Sequence, residues 1–289
     1  MDFKSYLEDS ANQINQEIDR ILIEWLNGVK KVSPKLIPFA VAFINACKGG
    51  KRIRGMLCQL GYEIAQKLYS SSTTKVGTQN DRIKLGAAIE ILHTAILIHD
   101  DIIDKSLTRR GQPSVYKALG GDHYGVSQAI ILGDIGLYLA VKLIASLSFP
   151  YEYKIIALKH LAETIISTGW GEILDVELPN WKERSAVEMV LLYSLKTAKY
   201  TISGPLIMGA ILGGADKKLI TTLTEFGENA GIAFQIQDDI LDGEADDSFR
   251  AETLEYVSRA KKLIPKITDD KIMAKILEEM LVYLVERTK

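Results

Sequence analysis

Residues 85–103 are apolar almost all the way round a helix, and the run ends in three aspartates, Asp100, Asp101 and Asp104. A helix of that kind has two homes, a bilayer or the centre of a large helical bundle. Glu90, His93, His99 and the aspartates argue against the bilayer, where ionised groups are expensive. The segment therefore predicts the central helix of a soluble all-α domain. The chain has the material for one, with 289 residues of which 47% are hydrophobic and 25% charged.

Helical spacing continues on both sides. Leu7, Ile14, Ile18, Ile21, Leu22 and Trp25 form one stripe. A second helix is expected over residues 41–66, interrupted at Gly49-Gly50, and the central one over 82–105. Further helical patterns cover 127–147, 151–176, 185–198, 202–212 and 219–242, and residues 251–287 are amphipathic and charged. Gly111 and Pro113 mark a turn over 109–113, Gly213-Gly214 a break, and residues 70–80 a polar loop. No alternating strand run, Pro-rich or Ser-rich linker or short repeat divides the chain. One domain over 1–289 is the simplest expectation.

Composition narrows the function. A net charge of -2 offers no global positive field to nucleic acid. Cys47 and Cys58 have neither metal-site nor disulfide-framework spacing and fit a reduced interior. Residues 1–16 are charged and polar, so no secretion signal or membrane anchor is expected and the location expected is cytoplasmic.

The acidic run has a second copy of the same form, Asp238, Asp239 and Asp242. In each DDxxD the outer aspartates are four apart, so on a helix they share a face about 6 Å apart along the axis. A lone DDxxD is common on solvated helix ends. Here Ala95 to Ile98 and Ala233 to Ile236 flank the two clusters with apolar residues, which places both near a core. Buried carboxylates need neutralising cations. Two opposed clusters would hold Mg2+, which commonly also holds substrate phosphates. An EF-hand is excluded, because the glycine turn and terminal glutamate are missing.

Basic residues lie close by in sequence. Lys51 and Arg54 follow Gly49-Gly50 one helical turn apart and either present two cations to a phosphate or begin a solvated basic helix. The segment is not a Walker loop. Arg109, Arg110 and Gly111 follow Asp104 and either cap the helix or bind diphosphate. Lys196-Thr197 lies within an apolar helix, where an unpaired lysine is out of place. His93 and Gln235 lie on the cluster-bearing helices; alone, each reads as an ordinary satisfied polar residue.

Taken together, GGKRIRG (49–55), EILHTAILIHDDIID (90–104), RRGQP (109–113), KTA (196–198) and FQIQDDILD (234–242) resemble the trans-isoprenyl diphosphate synthase (polyprenyl synthetase) family, which makes linear polyprenyl diphosphates. The resemblance covers most of the chain in order and weakens after Asp242. It implies an isoprenoid synthase-type helical bundle around a central cavity. It also implies a prenyltransferase of isoprenoid biosynthesis that joins isopentenyl diphosphate head-to-tail to an allylic diphosphate.

Roles follow by resemblance. Asp100 and Asp104 would ligate two Mg2+ ions, with Asp101 in support. Asp238 would ligate a third, helped through water by Asp239 and Asp242, and Asp175 is a further carboxylate near the metals. Arg109 and Lys196 would grip the allylic diphosphate, and Thr197 and Gln235 would point dipoles at the developing cation. Lys51, Arg54, His93 and Arg110 would hold isopentenyl diphosphate. No nucleophilic triad is needed.

Product length is implied in the same way, because the family's product grows along the first cluster's helix. Ala95 and Ile96, then Leu92, offer no aromatic plug there, and Leu132 on the neighbouring helix is a candidate floor. The expected product is longer than the C20 geranylgeranyl chain. Two departures stand out: the family's Gly-Lys loop after Asp242 is replaced by residues 243–250, and Glu172 stands where the family has glutamine. A homodimer is implied, with a heteromeric partner as an alternative. The competing functional readings are a weakly active subunit of a heteromeric synthase and a terpene cyclase of the same fold. Lys51 and Arg54 argue against the cyclase, which needs no isopentenyl diphosphate site.

Overall fold

The structure, a computed structural model, describes residues 2–69, 77–182, 185–243 and 249–286. Among the described residues thirteen α-helices run in chain order: α1 Phe3–Val32, α2 Ile37–Ala46, α3 Ile53–Tyr69, α4 Gln79–Ile103, α5 Val115–Ala118, α6 His123–Ala145, α7 Tyr151–Glu177, α8 Ala186–Tyr193, α9 Gly204–Leu212, α10 Lys217–Asp242, α11 Arg250–Lys261, α12 Ile264–Ile267 and α13 Lys271–Glu286. Among the described residues the only strands are β1 Thr108–Arg109 and β2 Gln112–Pro113, an antiparallel pair with Arg109 opposite Gln112. The fold is all-α, as the helical periodicity predicts. Most of the polar loop expected over 70–80, and residues 244–248 of the departure after Asp242, lie outside the described residues.

Cα positions divide the chain into two compact units, one of residues 9–56 and 79–148, the other of residues 1–8, 57–78 and 149–289. In the first, α4 packs along α6. The α1 stripe supplies its core: Ile14, Ile18, Ile21 and Leu22 are buried with Phe43, Ile91 and Ile98. Trp25 meets the Phe43 ring edge-on, centroids 5.6 Å apart. The break between α2 and α3 falls at the expected glycines. Gly49, Gly50 and Arg52 all take positive φ there, and two glycines make that run affordable. Beyond it, the first turn of α3 lies close against α4. A Cβ on Gly55 would come within 2.8 Å of the Gly86 carbonyl oxygen and of Ile14 Cδ1.

In the other unit, α10 packs against α11 and against a π-helical stretch, Ser194–Ser203, which joins α8 to α9. The periodicity predicts two helices here, over 185–198 and 202–212. The chain instead runs helically from Ala186 to Leu212, with the π-helix in the middle. Wider turns of this kind are rare and gather at functional sites. This one carries Lys196 and Thr197.

Candidate active site

Both acidic rows occupy the final turns of their helices. In the first unit, α4 ends in an αL cap at Lys105 (φ 54), where Lys105 N–H donates to the Ile102 carbonyl at 3.3 Å and Ser106 N–H to the Asp101 carbonyl at 2.9 Å. Asp100, Asp101 and Asp104 therefore stand where helix carbonyls already concentrate negative partial charge, an arrangement stabilised only by cations.

The cation in place is Arg109. Its Nη2 lies 2.9 Å from Asp100 Oδ2 and 2.6 Å from Asp101 Oδ1. Asp101 is the buried member of the row, and burial raises its carboxyl pKa even against the hydrogen bond from Arg109. Burial works against the Arg109 cation too, but its bonds to Asp101 and the charges of Asp101 and Asp100 outweigh that and raise its pKa.

The turn predicted at 109–113 is a two-residue hairpin loop. Arg110 (φ 53) and Gly111 (φ 74) both take positive φ, as a type I′ turn requires. Arg110 Nη1 donates to the carbonyls of Lys48 and Gly49 at 3.0 and 3.1 Å, tying the hairpin to the α2–α3 break. Burial, and then Arg52, lower the Arg110 pKa.

Arg54 Nη1 lies 3.1 Å from His93 Nε2, so two of the four residues expected to hold isopentenyl diphosphate are hydrogen-bonded to each other. Burial first, then the Arg54 and Arg110 charges, hold His93 well below its ordinary 6.5. Lys51, three residues before Arg54 in sequence, is exposed.

Two supporting residues escaped the sequence reading. Arg52 is buried, donating from Nε to Asn15 Oδ1 at 2.8 Å and from Nη2 to the Cys47 carbonyl at 2.6 Å. Its Nη1 lies 3.6 Å from Oε2 of the buried Glu90, whose Oε1 accepts from Gly55 N–H at 2.9 Å. Their signal was present as an arginine between Lys51 and Arg54 and a glutamate in an apolar helix, but only the fold pairs them.

A cavity of about 610 Å³ opens beside the first row. Thr94, Leu97, Ile98 and Asp101 of α4 line it with Ala46, Val115 and Ala118, and Lys48, Arg109 and Arg110 add positive charge to its wall. The four chain-length candidates lie outside that lining. Leu92, Ala95 and Leu132 are buried and Ile96 is partly buried. A Cβ on Gly136 would fall 2.7 Å from the Phe43 ring and 2.8 Å from Ala95 Cβ, so α6 and an aromatic of α2 both close on Ala95.

The second row is built entirely within the other unit. α10 ends at Asp242 with Gly243 in the left-handed region (φ 79). Asp238 is partly buried and Asp242 exposed. Asp239 accepts from Tyr193 Oη at 2.6 Å and from Gln235 Nε2 at 2.7 Å. Gln235 Oε1 accepts from Thr197 Oγ1 at 2.6 Å. Lys196 pairs with Asp175, and its Nζ lies 3.2 Å from Glu172 Oε2. Burial opposes the Lys196 charge, yet Asp175 and Glu172 raise its pKa overall. Glu172, a departure in the sequence, is thus a partner of the site lysine. Tyr193 was not foreseen, since nothing local marks it.

Among the described residues no three His, Cys, Asp or Glu side chains converge into a ready metal cage. Mg2+ needs none. It keeps several waters and is bound through one or two carboxylates plus phosphate oxygens. Hard oxygen donors at the negative end of a helix, already drawing in a guanidinium, fit that ion.

Comparison with known proteins places the chain in a family. The family model described as polyprenyl synthetase matches residues 39–251. Geranylgeranyl diphosphate synthase of Sulfolobus acidocaldarius is 32% identical over 246 residues, 84% of this chain and 68% of that protein. Geranylfarnesyl diphosphate synthase of Methanosarcina mazei is 33% identical over 214 residues, 72% of this chain and 65% of that protein. The aligned stretch thus spans about two thirds of those relatives. The crystal structure of geranylgeranyl pyrophosphate synthase from Corynebacterium glutamicum, complexed with isoprenyl diphosphate and magnesium, superposes with TM-score 0.80 at 22% identity, covering 99% of this chain and 100% of that one. At that identity the likeness establishes the fold.

Proposed function

This chain belongs to the polyprenyl synthetase family of prenyltransferases, and on that premise we propose that it condenses isopentenyl diphosphate head-to-tail with an allylic diphosphate into a linear all-trans polyprenyl diphosphate. The carrying observation is Arg109 across Asp100 and Asp101 at the carbonyl end of α4: the row demands a cation, and an anion-gripping guanidinium stands in it. The family match draws on both compact units, which supports one functional domain over 1–289.

Asp100, Asp104 and Asp238 would hold Mg2+, three ions per active site, supported by Asp101, Asp242 and Asp175. Held by these carboxylates, Mg2+ would supply neutralisation of the charge that builds on the leaving diphosphate. Arg109 and Lys196 grip the allylic diphosphate. Lys51, Arg54 and Arg110 hold that of isopentenyl diphosphate, with His93 orienting Arg54. The allylic C–O bond breaks with its electron pair going to the diphosphate oxygen. The π electrons of isopentenyl diphosphate form the new C–C bond, and the proton lost goes to the released diphosphate. Thr197 and Gln235 turn the negative ends of their dipoles toward the cation, and apolar walls exclude water that would quench it.

We place the product above C20, supported by the likeness to a geranylfarnesyl synthase and by the absence of an aromatic at Ala95, Ile96 and Leu92. A second copy of the chain is the partner we propose. α6 leaves Ile131, Ile135 and Tyr138 exposed, and α7 leaves Ile166, Trp170 and Ile173 exposed at helical spacing. α6 is also long and apolar enough to cross a membrane. The exposed Asp134 on it is costly in lipid and argues for protein cover.

The test is incubation of the purified chain with isopentenyl diphosphate, each allylic starter and Mg2+, with products identified by mass. Linear products above C20 are expected. No elongation from any starter rejects the reading, and cyclic hydrocarbon replaces it with a cyclase.

A further inference from the structure

Asp239 adjoins Asp238 in the second row, yet both its oxygens are occupied by uncharged donors. Tyr193 Oη donates to Oδ2 at 2.6 Å and Gln235 Nε2 to Oδ1 at 2.7 Å. The arrangement has a chemical direction. A carboxylate only accepts, so the Gln235 amide must turn its NH2 to Asp239 and its carbonyl oxygen the other way, where Thr197 Oγ1 donates to it at 2.6 Å. If Asp239 swung aside, the amide would be free to flip and would show its positive end in place of its negative one. Tyr193 prevents that swing. Its ring packs on the small core of Ala198, Ile232 and Ile236, which fixes where its hydroxyl can reach.

We infer that Tyr193 is a positioning residue: by clamping Asp239 it locks the Gln235 carbonyl oxygen toward the carbon that turns positive when the allylic C–O bond ionises. The inference rests on the prenyltransferase reading and deepens it. It also gives neighbours that look equivalent in sequence different roles: Asp238 would serve the metal, while Asp239 serves the amide. A dipole held in place before the charge develops stabilises it without reorganisation, which is why a tether remote from the reacting carbon matters.

Tyr193→Phe keeps the ring and removes the hydroxyl. Calorimetry would compare a prenyl ammonium analogue of the cation with its neutral carbon isostere, both with inorganic diphosphate and Mg2+. The ammonium analogue should bind the variant about tenfold more weakly, the isostere unchanged. The kcat should fall by a similar factor with KM for isopentenyl diphosphate unchanged. Asp239→Asn should lose more, and the double variant no more than Asp239→Asn alone, as for members of one chain. Equal weakening of both analogues, or a lower melting temperature with the ammonium preference intact, would assign Tyr193 to packing and overturn the inference. A raised Mg2+ requirement with unchanged preference would make Asp239 a metal group and overturn it as well. A wild-type chain that elongates no starter and shows no ammonium preference fells the functional reading and this inference together. Elongation by wild type with an unaltered Tyr193→Phe fells this inference alone.

Discussion

Arg54 Nη1 and His93 Nε2 stand 3.1 Å apart, and the guanidinium has no lone pair, so the proton of the neutral imidazole must sit on Nδ1. A second proton on His93 would destroy that bond and set a cation among Arg54, Arg110, Arg109 and Arg52.

Stability should therefore fall with pH in a defined window. His93 in the fold titrates well below 6.5, so the unfolded chain takes up its proton first. The contribution is complete above about pH 6.5 and is lost as pH drops, at up to about 1.4 kcal/mol per pH unit. Partly buried His160 is lowered in the same sense, by burial. Carboxylates held low by their neighbours, such as Asp216 and Asp270, act below their ordinary 3.8, outside this window. Urea unfolding of His93→Gln between pH 5 and 7.5 should show roughly half the wild-type slope; an unchanged slope would refute the assignment.

Arg109→Ala leaves Asp101 buried beside Asp100 with its cation gone. The side chain removed is about one third exposed, so the full penalty of a broken buried pair is discounted to about 1–3 kcal/mol. Mg2+ with inorganic diphosphate should recover part of that loss, because ligands of the folded row stabilise it. Denaturant midpoints with and without the ion check this; equal loss in both conditions would mean the row takes no metal.

Lys105 sits in the left-handed region at the C-terminal cap of α4, where a side chain is strained. Lys105→Gly should raise stability by about 1 kcal/mol. Thermal unfolding reads the gain, and elongation activity should be unaltered.

Leu92→Phe should shorten the product by filling the wall one turn below Ala95. Leu92 is buried, so repacking will cost about 1–3 kcal/mol as well. Mass analysis of products from soluble, folded variant decides it, and an unaltered profile removes Leu92 from the growing chain's path.

Helix periodicity, the two acidic rows and the break at Gly49-Gly50 were all legible in the residues alone, because each is a relation between positions a few residues apart. A stripe such as Ile14, Ile18 and Ile21 states its own period, and a glycine pair such as Gly49-Gly50 interrupts it with the positive φ that only glycine takes cheaply. The resemblance carried by five short blocks also survives without coordinates. What only the tertiary structure decided is pairing across long stretches of chain: Arg52 with Glu90, Lys196 with Asp175 and Glu172, and Tyr193 with Asp239. Each joins residues more than twenty apart by the meeting of two helix faces. A polar side chain's partner is set by which helix packs against it, and no local pattern encodes that. The same reason hid the tie from Asp239 to Tyr193, which nothing in the motif itself records.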